Sequence, residues 1–143
     1  TDMFIAAKAV WQVEQLRELY VTFASSEAIG LSSIASLVHP VGRDEDHGLG
    51  MHMDPEANQK VIAPVAPGLF AQLGIERWDE LQLGSTWTPT IDRGVIALDG
   101  EREIEFRAVD NVRLSLDRFG PSVIDVSKAL GVAAKHGIMI QSC

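Results

Sequence analysis

The 143 residues are one domain's worth of chain, and 46% hydrophobic with 22% charged residues is the balance of a folded globular domain. We therefore expect a single domain over residues 1–143. Twenty acidic residues against twelve lysines and arginines give a formal net charge of −8, which excludes the basic field that attracts nucleic acid or anionic membranes. The single cysteine, Cys143, excludes an internal disulfide framework. With no apolar stretch long enough to span a bilayer, we expect a reduced, cytoplasmic protein without nucleic-acid or membrane partners.

The first third of the chain predicts strands around one helix. "MFIAAKAVW" is typical of a short buried strand, and "QVEQLRELYVTF" predicts a helical turn followed by a strand. "SSEAIGLSSIASLV" has helical spacing, with Ser25 or Ser26 as the candidate N-cap. His39-Pro40 should end this helix, since proline disfavours helix in the residue before it. "LGMHMD" alternates like a half-exposed strand.

The middle of the chain contains the strongest turn signal. Prolines 64 and 67 argue against a long central strand in "KVIAPVAPGLFAQLGI", so we expect a short buried strand that continues as an irregular extended segment. "DELQLGSTWTPT" favours a further strand. Asp99-Gly100 lies between two runs of β-forming residues in "GVIALDGEREIEF", which predicts a hairpin.

The C-terminal part predicts two strands around Phe119–Pro121 and then a helix, with Ser127 at its N-cap and Gly137 near its end. The whole chain thus predicts about eight short strands and two helices without strand–helix alternation. This pattern argues against Rossmann and P-loop architectures and for a strand-rich α+β domain.

Candidate catalytic or metal-binding motifs are weak on spacing alone. The segment 39–52 contains ligand types for a metal, namely His39, Asp44, Asp46, His47 and His52. Their spacing matches no zinc signature, and "RDEDH" is typical of a solvated loop, so we assign no metal ligand. Ser32 and Ser33 follow Gly30 without a G-x-S-x-G elbow, so we assign no catalytic residue. The three tryptophans are dispersed, which favours packing over ligand stacking.

Several segments together resemble a known family. "EAIGLSSIASLVHPVGRDEDHGL", "VIAPVAPGLFAQLGI" and "GVIALDGEREIEF…VRLSLDRFGPSVIDVSKAL" are similar to the C-terminal domain of the ATP-NAD kinase superfamily, and within it to the AcoX group, named for acetoin catabolism. The resemblance runs from about Phe4 to Ala134. It implies a strand-rich, β-sandwich-like domain that supplies part of a dinucleotide site and much of an oligomer contact.

The resemblance also implies a partner domain. In the family, an N-terminal domain carries a G-G-D-G-T motif whose aspartate activates the ribose hydroxyl of NAD, and this sequence contains no such motif. We therefore expect a longer NAD kinase-like phosphotransferase that uses NAD as substrate with ATP and Mg²⁺ and forms a homo-oligomer. The chain alone should neither phosphorylate NAD nor hold a cofactor tightly.

Two short segments match the family's dinucleotide-binding elements. The resemblance implies that Gly30, Ser32 and Ser33 lie near the nucleotide, and that Asp99 and Gly100 form a turn beside it. NAD kinases place a tyrosine after the first element, whereas this chain continues as Ile34-Ala35. Two other functions remain open: a non-catalytic ligand-binding or assembly module that keeps only the fold, and a metal-dependent enzyme built on the segment 39–52.

Overall fold

The computed structural model describes residues 3–6, 12–98, 102–120, 122–138 and 140. Its main element is an antiparallel sheet of seven strands in the order β4-β5-β3-β2-β1-β7-β8, beside a two-stranded sheet of β6 and β9. The strands are β1 (Met3–Ala6), β2 (Leu16–Val21), β3 (His47–Met53), β4 (Gln59–Ala66), β5 (Leu69–Gln82), β6 (Thr86–Trp87), β7 (Arg93–Leu98), β8 (Arg102–Arg107) and β9 (Leu114–Ser115). The α-helices are α1 (Leu31–Val38) and α2 (Val126–Lys135), and 3₁₀ turns lie at Val13–Gln15 and Ala108–Asp110.

The two faces of the large sheet carry separate hydrophobic clusters. Because side chains alternate along a strand, Leu19 of β2 packs in the cluster that includes Ile34 of α1, whereas Tyr20 packs in the cluster of Leu81, Ile96 and Phe106. Side chains of β6 and β9 pack against this second cluster. The small sheet thus covers part of the face opposite α1, and the predicted strand-rich α+β class is confirmed.

The N-terminal elements are present as predicted, apart from the helix cap and the exposure of β3, which is not half-exposed because five of its seven residues are buried. A 3₁₀ turn leads into β2, and α1 ends at Val38, directly before His39-Pro40. The predicted cap at Ser25 or Ser26 is wrong, because α1 begins at Leu31 with Gly30 as its N-cap at φ 106°. Ser25 instead stabilises the preceding turn, where its Oγ accepts from the amide of Glu27.

The segment with two prolines forms a hairpin rather than an irregular extension. β4 and β5 pair from Gln59 opposite Ile75 to Ala66 opposite Leu69, and Gly68 at φ 75° lies in the turn. β4 is the edge strand of the sheet, where Pro64 can face outward without a missing partner. The expected irregular segment is wrong because a proline is tolerated in an edge strand, and the sequence does not show which strand lies at the edge of the sheet.

The predicted hairpin strands are present as β7 and β8, with Leu98 opposite Arg102. Asp99 and Gly100 lie outside the described residues. Of the two strands predicted around Phe119–Pro121, only the short β9 is found, and residues 122–125 form no strand. Val123 and Ile124 are highly exposed there, since no sheet edge of the described chain pairs with them.

α2 confirms the predicted C-terminal helix with a different cap. Asp125, not Ser127, is the N-cap, and its Oδ1 accepts from the amide of Lys128 at 2.9 Å. Gly137 lies just beyond the helix at φ 64°. None of the residues of α2 is buried. In the described ranges, no helix has the length and apolarity that a bilayer crossing requires.

Candidate functional site

A buried carboxylate is the central feature of the face opposite α1. Glu18 of β2 has no exposed surface, and its two oxygens accept three hydrogen bonds. Tyr20 Oη donates to Oε2 at 2.6 Å, while the backbone amide of Thr90 donates to Oε1 at 2.6 Å and the Thr90 hydroxyl donates to the same oxygen. These bonds join the segment before β7 to the middle of the sheet, and they compensate for the burial of a charged group.

A polar cavity of about 510 Å³ opens beside this group. Its polar wall is formed by Arg77 and Asp79 of β5 and His52 of β3, with Gly50 at its floor. A Cβ at Gly50 would lie 2.9 Å from Leu81 Cδ2, so glycine leaves the space between the strands open. Two further side chains, three threonines and one tryptophan complete the lining, namely Tyr20, Leu81, Thr86, Trp87, Thr88 and Thr90.

The charges in the cavity are arranged around Arg77. Its Nη1 donates to Asp79 Oδ2 at 3.2 Å, and its Nη2 lies 3.0 Å from His52 Nε2. A guanidinium can only donate, so Nε2 of His52 is the acceptor and the imidazole is neutral. Burial and the Arg77 charge both lower the pKa of His52. Burial, followed by the hydrogen bond and negative charge of Glu18, raises the pKa of Tyr20.

A second cavity of about 380 Å³ lies on the other side of Tyr20, Leu81 and Trp87, which line both spaces. Its wall is mainly apolar, with Leu98 and Leu114 among its residues. Leu98, the last residue of β7 and the residue before Asp99 in the sequence, is part of this wall. The site therefore combines a polar compartment and an apolar one, which share Tyr20, Leu81 and Trp87 as a common wall.

The other predicted binding residues lie at the start of α1, against the opposite face of the sheet. Gly30 donates its amide to Pro64 O at 3.1 Å. Ser33 is buried, and its hydroxyl is directed at Gly30 O and Pro64 O, at 2.6 and 3.2 Å. Ser32 is half-buried beside them. Gly30 and Ser33 thus join α1 to β4, and the cavities on the far face are not lined by this segment.

The segment 39–52 is divided by the fold. His52 faces the polar cavity beside Arg77. Asp46 instead forms an ion pair with Arg118, and Asp44 is exposed. His39 and His47 come together on the α1 face of the sheet, where their ring centroids are 6.4 Å apart.

Comparisons with known proteins decide the family. The sequence model described as acetoin catabolism protein X C-terminal domain matches residues 1–119. The chain belongs to this family. It is 40% identical over 140 residues to acetoin catabolism protein X of Cupriavidus necator, covering 96% of this chain and 39% of that protein. The domain thus spans well under half the length of this relative. No solved structure matches the chain significantly.

The resemblance to the acetoin catabolism protein X family seen in the sequence is therefore confirmed. The central residues of the polar cavity, however, were not predicted from the sequence. In "LRELYV", Glu18 is an acid inside a strand-forming run, directly before Leu19, Tyr20 and Val21. An acid at such a position signals a buried, hydrogen-bonded carboxylate. Arg77 carried no comparable signal, since its neighbours on β3 are distant in sequence.

Proposed function

We propose that this domain of the acetoin catabolism protein X family binds a phosphorylated nucleotide, with its phosphate at Arg77. The polar cavity is the observation that carries the proposal. On a chain of net charge −8, a phosphate needs a local cation, and Arg77 offers one with its side chain 53% exposed. The threonine hydroxyls of the cavity wall add neutral donors for phosphate or ribose oxygens.

The apolar compartment supports a nucleotide over a simple anion. Trp87 is half-buried between the two cavities, where an aromatic ring offers a flat surface for a base. The proposed ligand would lie with its phosphate at Arg77 and its base toward Trp87 and Leu114. Asp99, the residue after Leu98 in the sequence, would accept a hydrogen bond from a ribose hydroxyl.

The chemistry of phosphate transfer would belong to the longer protein that contains this domain. The domain corresponds to 39% of its relative, and it has no G-G-D-G-T motif. We infer a cytoplasmic NAD kinase-like phosphotransferase in which another domain binds ATP and Mg²⁺ and supplies the catalytic base. This chain would contribute the site for NAD or a related acceptor and would not transfer phosphate alone.

Calorimetric titration with NAD, NADP and ATP tests the proposal, on the 143-residue chain and on a longer protein containing it. Arg77→Gln should weaken nucleotide binding about tenfold, corresponding to one charge-assisted contact of about 1.4 kcal/mol. Arg118→Gln is the matched control, because Arg118 is also exposed to 54% and also paired with an aspartate. Asp99→Ala should lower affinity more than it lowers stability.

Equal affinity of the Arg77→Gln and Arg118→Gln variants would contradict the placement of the phosphate. Failure of the longer protein to bind any of the three nucleotides would contradict nucleotide binding itself. Binding without turnover in the longer protein would instead support the alternative, a ligand-binding module that keeps the fold without catalysis.

Assembly is a second candidate function, and α2 favours it. Val126 and Leu130 are spaced by one helical turn and are 63% and 57% exposed, and Ile124 before the helix is 78% exposed. Apolar residues at such spacing are typical of a helix that packs against another surface. Light scattering should show a homo-oligomer that Leu130→Lys dissociates, with Lys128→Glu on the same helix as a control. A monomeric wild-type protein would refute this role.

A further inference from the structure

Two histidines and a glutamate converge on the face of the sheet opposite the polar cavity. His39 follows the last turn of α1, where its amide donates to Ala35 O. His47 is the first residue of β3 and pairs with Gln82 of the adjacent β5, and Glu80 lies two positions before Gln82 on that strand. One potential ligand atom from each of the three side chains lies within 4.8 Å of the other two.

The Nε2 atom of His47 is in an environment that favours a bound ligand. Its Nε2 is buried and has no hydrogen-bond partner among the described residues. A buried nitrogen without a partner is costly, and the nearest acid, Glu45, lies 3.6 Å away and already accepts from the amide of Gly42. A cation coordinated by this nitrogen would satisfy it.

The other two side chains are placed to complete such a site. His39 stacks on Trp78 with ring centroids 4.6 Å apart and an interplanar angle of 19°, which holds the imidazole plane. Its Nε2 lies 3.7 Å from Glu80 Oε1, close to the separation of about 3.3 Å between two ligands of a tetrahedral zinc ion. The Glu80 side chain is 46% exposed, so it can turn toward an ion without disturbing the core.

We propose that His39, His47 and Glu80 form a binding site for a divalent transition-metal ion of the zinc type. Two imidazoles and one carboxylate are a ligand set that zinc uses, and it leaves a fourth position for water. Glu45 adds negative charge at the rim. This set differs from the one that the sequence segment 39–52 suggested, because Glu80 comes from another strand and His52 points to the opposite face.

Zinc titration by calorimetry tests the site on the full 143-residue chain, freed of metal by chelation and without a histidine tag. One Zn²⁺ should bind per chain, and His39→Gln and Glu80→Gln should each weaken binding at least about tenfold. His136→Gln removes an exposed histidine of the same chain and should leave affinity unchanged. Co²⁺ should give visible absorption bands typical of a tetrahedral site and should quench the fluorescence of nearby Trp78.

Circular dichroism of each variant shows whether the substitution has left the chain folded. A folded His39→Gln variant with wild-type zinc affinity would overturn the proposal, as would equal loss in His136→Gln. Absence of Zn²⁺ and Co²⁺ binding to the folded wild-type chain would also overturn it. None of these outcomes bears on nucleotide binding, since Arg77 and Trp87 lie on the other face.

Discussion

We expect the hydrogen bond between Tyr20 and Glu18 to stabilise the fold, and a double-mutant cycle can measure the coupling free energy between the two side chains. Glu18→Ala removes an acceptor of three hydrogen bonds, each worth about 1.5–3 kcal/mol when one partner is charged. Thr90 is exposed, so water replaces part of its two bonds. We therefore expect a loss of about 3–5 kcal/mol in the free energy of unfolding from Glu18→Ala, and about 1.5–3 kcal/mol from Tyr20→Phe.

The cycle is measured by urea unfolding of the wild type, the two single variants and the double variant. Because the two side chains share one bond, the double variant should lose about 1.5 kcal/mol less than the sum of the single losses. Additive losses would refute the idea that the two residues stabilise the fold through each other. A conservative Glu18→Gln variant keeps the volume and shows how much of the loss comes from charge rather than from a cavity.

The same bond predicts how the fold responds to alkaline pH. Tyr20 is the chain's single tyrosine, so the absorption of tyrosinate reports it alone. Burial and Glu18 raise its pKa in the folded chain, whereas the unfolded chain should titrate near the ordinary value of about 10. Its contribution to stability is therefore complete below about pH 10 and is lost as the pH rises beyond it. Titration of the native chain at the ordinary value would contradict the buried pairing.

Three further predictions concern single positions. Burial and Arg77 lower the pKa of His52, so its contribution to stability is present above about pH 6.5 and is lost as the pH falls. Between pH 7 and pH 5, His52→Gln should therefore lose less free energy of unfolding than the wild type, as measured with urea. A Cβ at Gly74 would lie 1.9 Å from Asp54 O, so Gly74→Ala should cost about 3 kcal/mol by thermal or urea unfolding. Asp125→Ala removes the N-cap of α2 and should lower helicity by circular dichroism, at a cost of about 1 kcal/mol.

Local signals in the sequence predicted local structure well. Asp99-Gly100 between two β-forming runs predicted the β7–β8 pairing, and His39-Pro40 predicted the end of α1, because these residues restrict the backbone directly. Pro64 misled the prediction because its cost depends on whether β4 lies at an edge or in the centre of the sheet. Strand order is a tertiary property that no window of the sequence contains.

In the candidate sites, too, local features could be predicted from the sequence and contacts between distant strands could not. Glu18 could have been found, since its place next to the apolar residues of one strand is visible in the sequence. Arg77 and His52 meet only because β5 pairs with β3, and Glu80 meets His47 for the same reason. The nucleotide-binding role of Gly30, Ser32, Ser33, Asp99 and Gly100 came from resemblance and stays a prediction, while the hydrogen bonds of Gly30 and Ser33 give that segment a structural role as well.

A single irregularity in β5 determines which face each candidate site occupies. The register moves from His52 opposite Arg77 to Met53 opposite Ile75, so Glu76 is an extra residue in β5. Ile75 packs with α1's cluster and Leu81 with the opposite cluster, although both positions are odd-numbered. Without the extra residue, the strict alternation of a strand would put Arg77 on the α1 face and Glu80 on the cavity face. The bulge therefore assigns the guanidinium to the proposed nucleotide cavity and the carboxylate to the proposed metal ligands, which makes both sites depend on one local feature of the sheet.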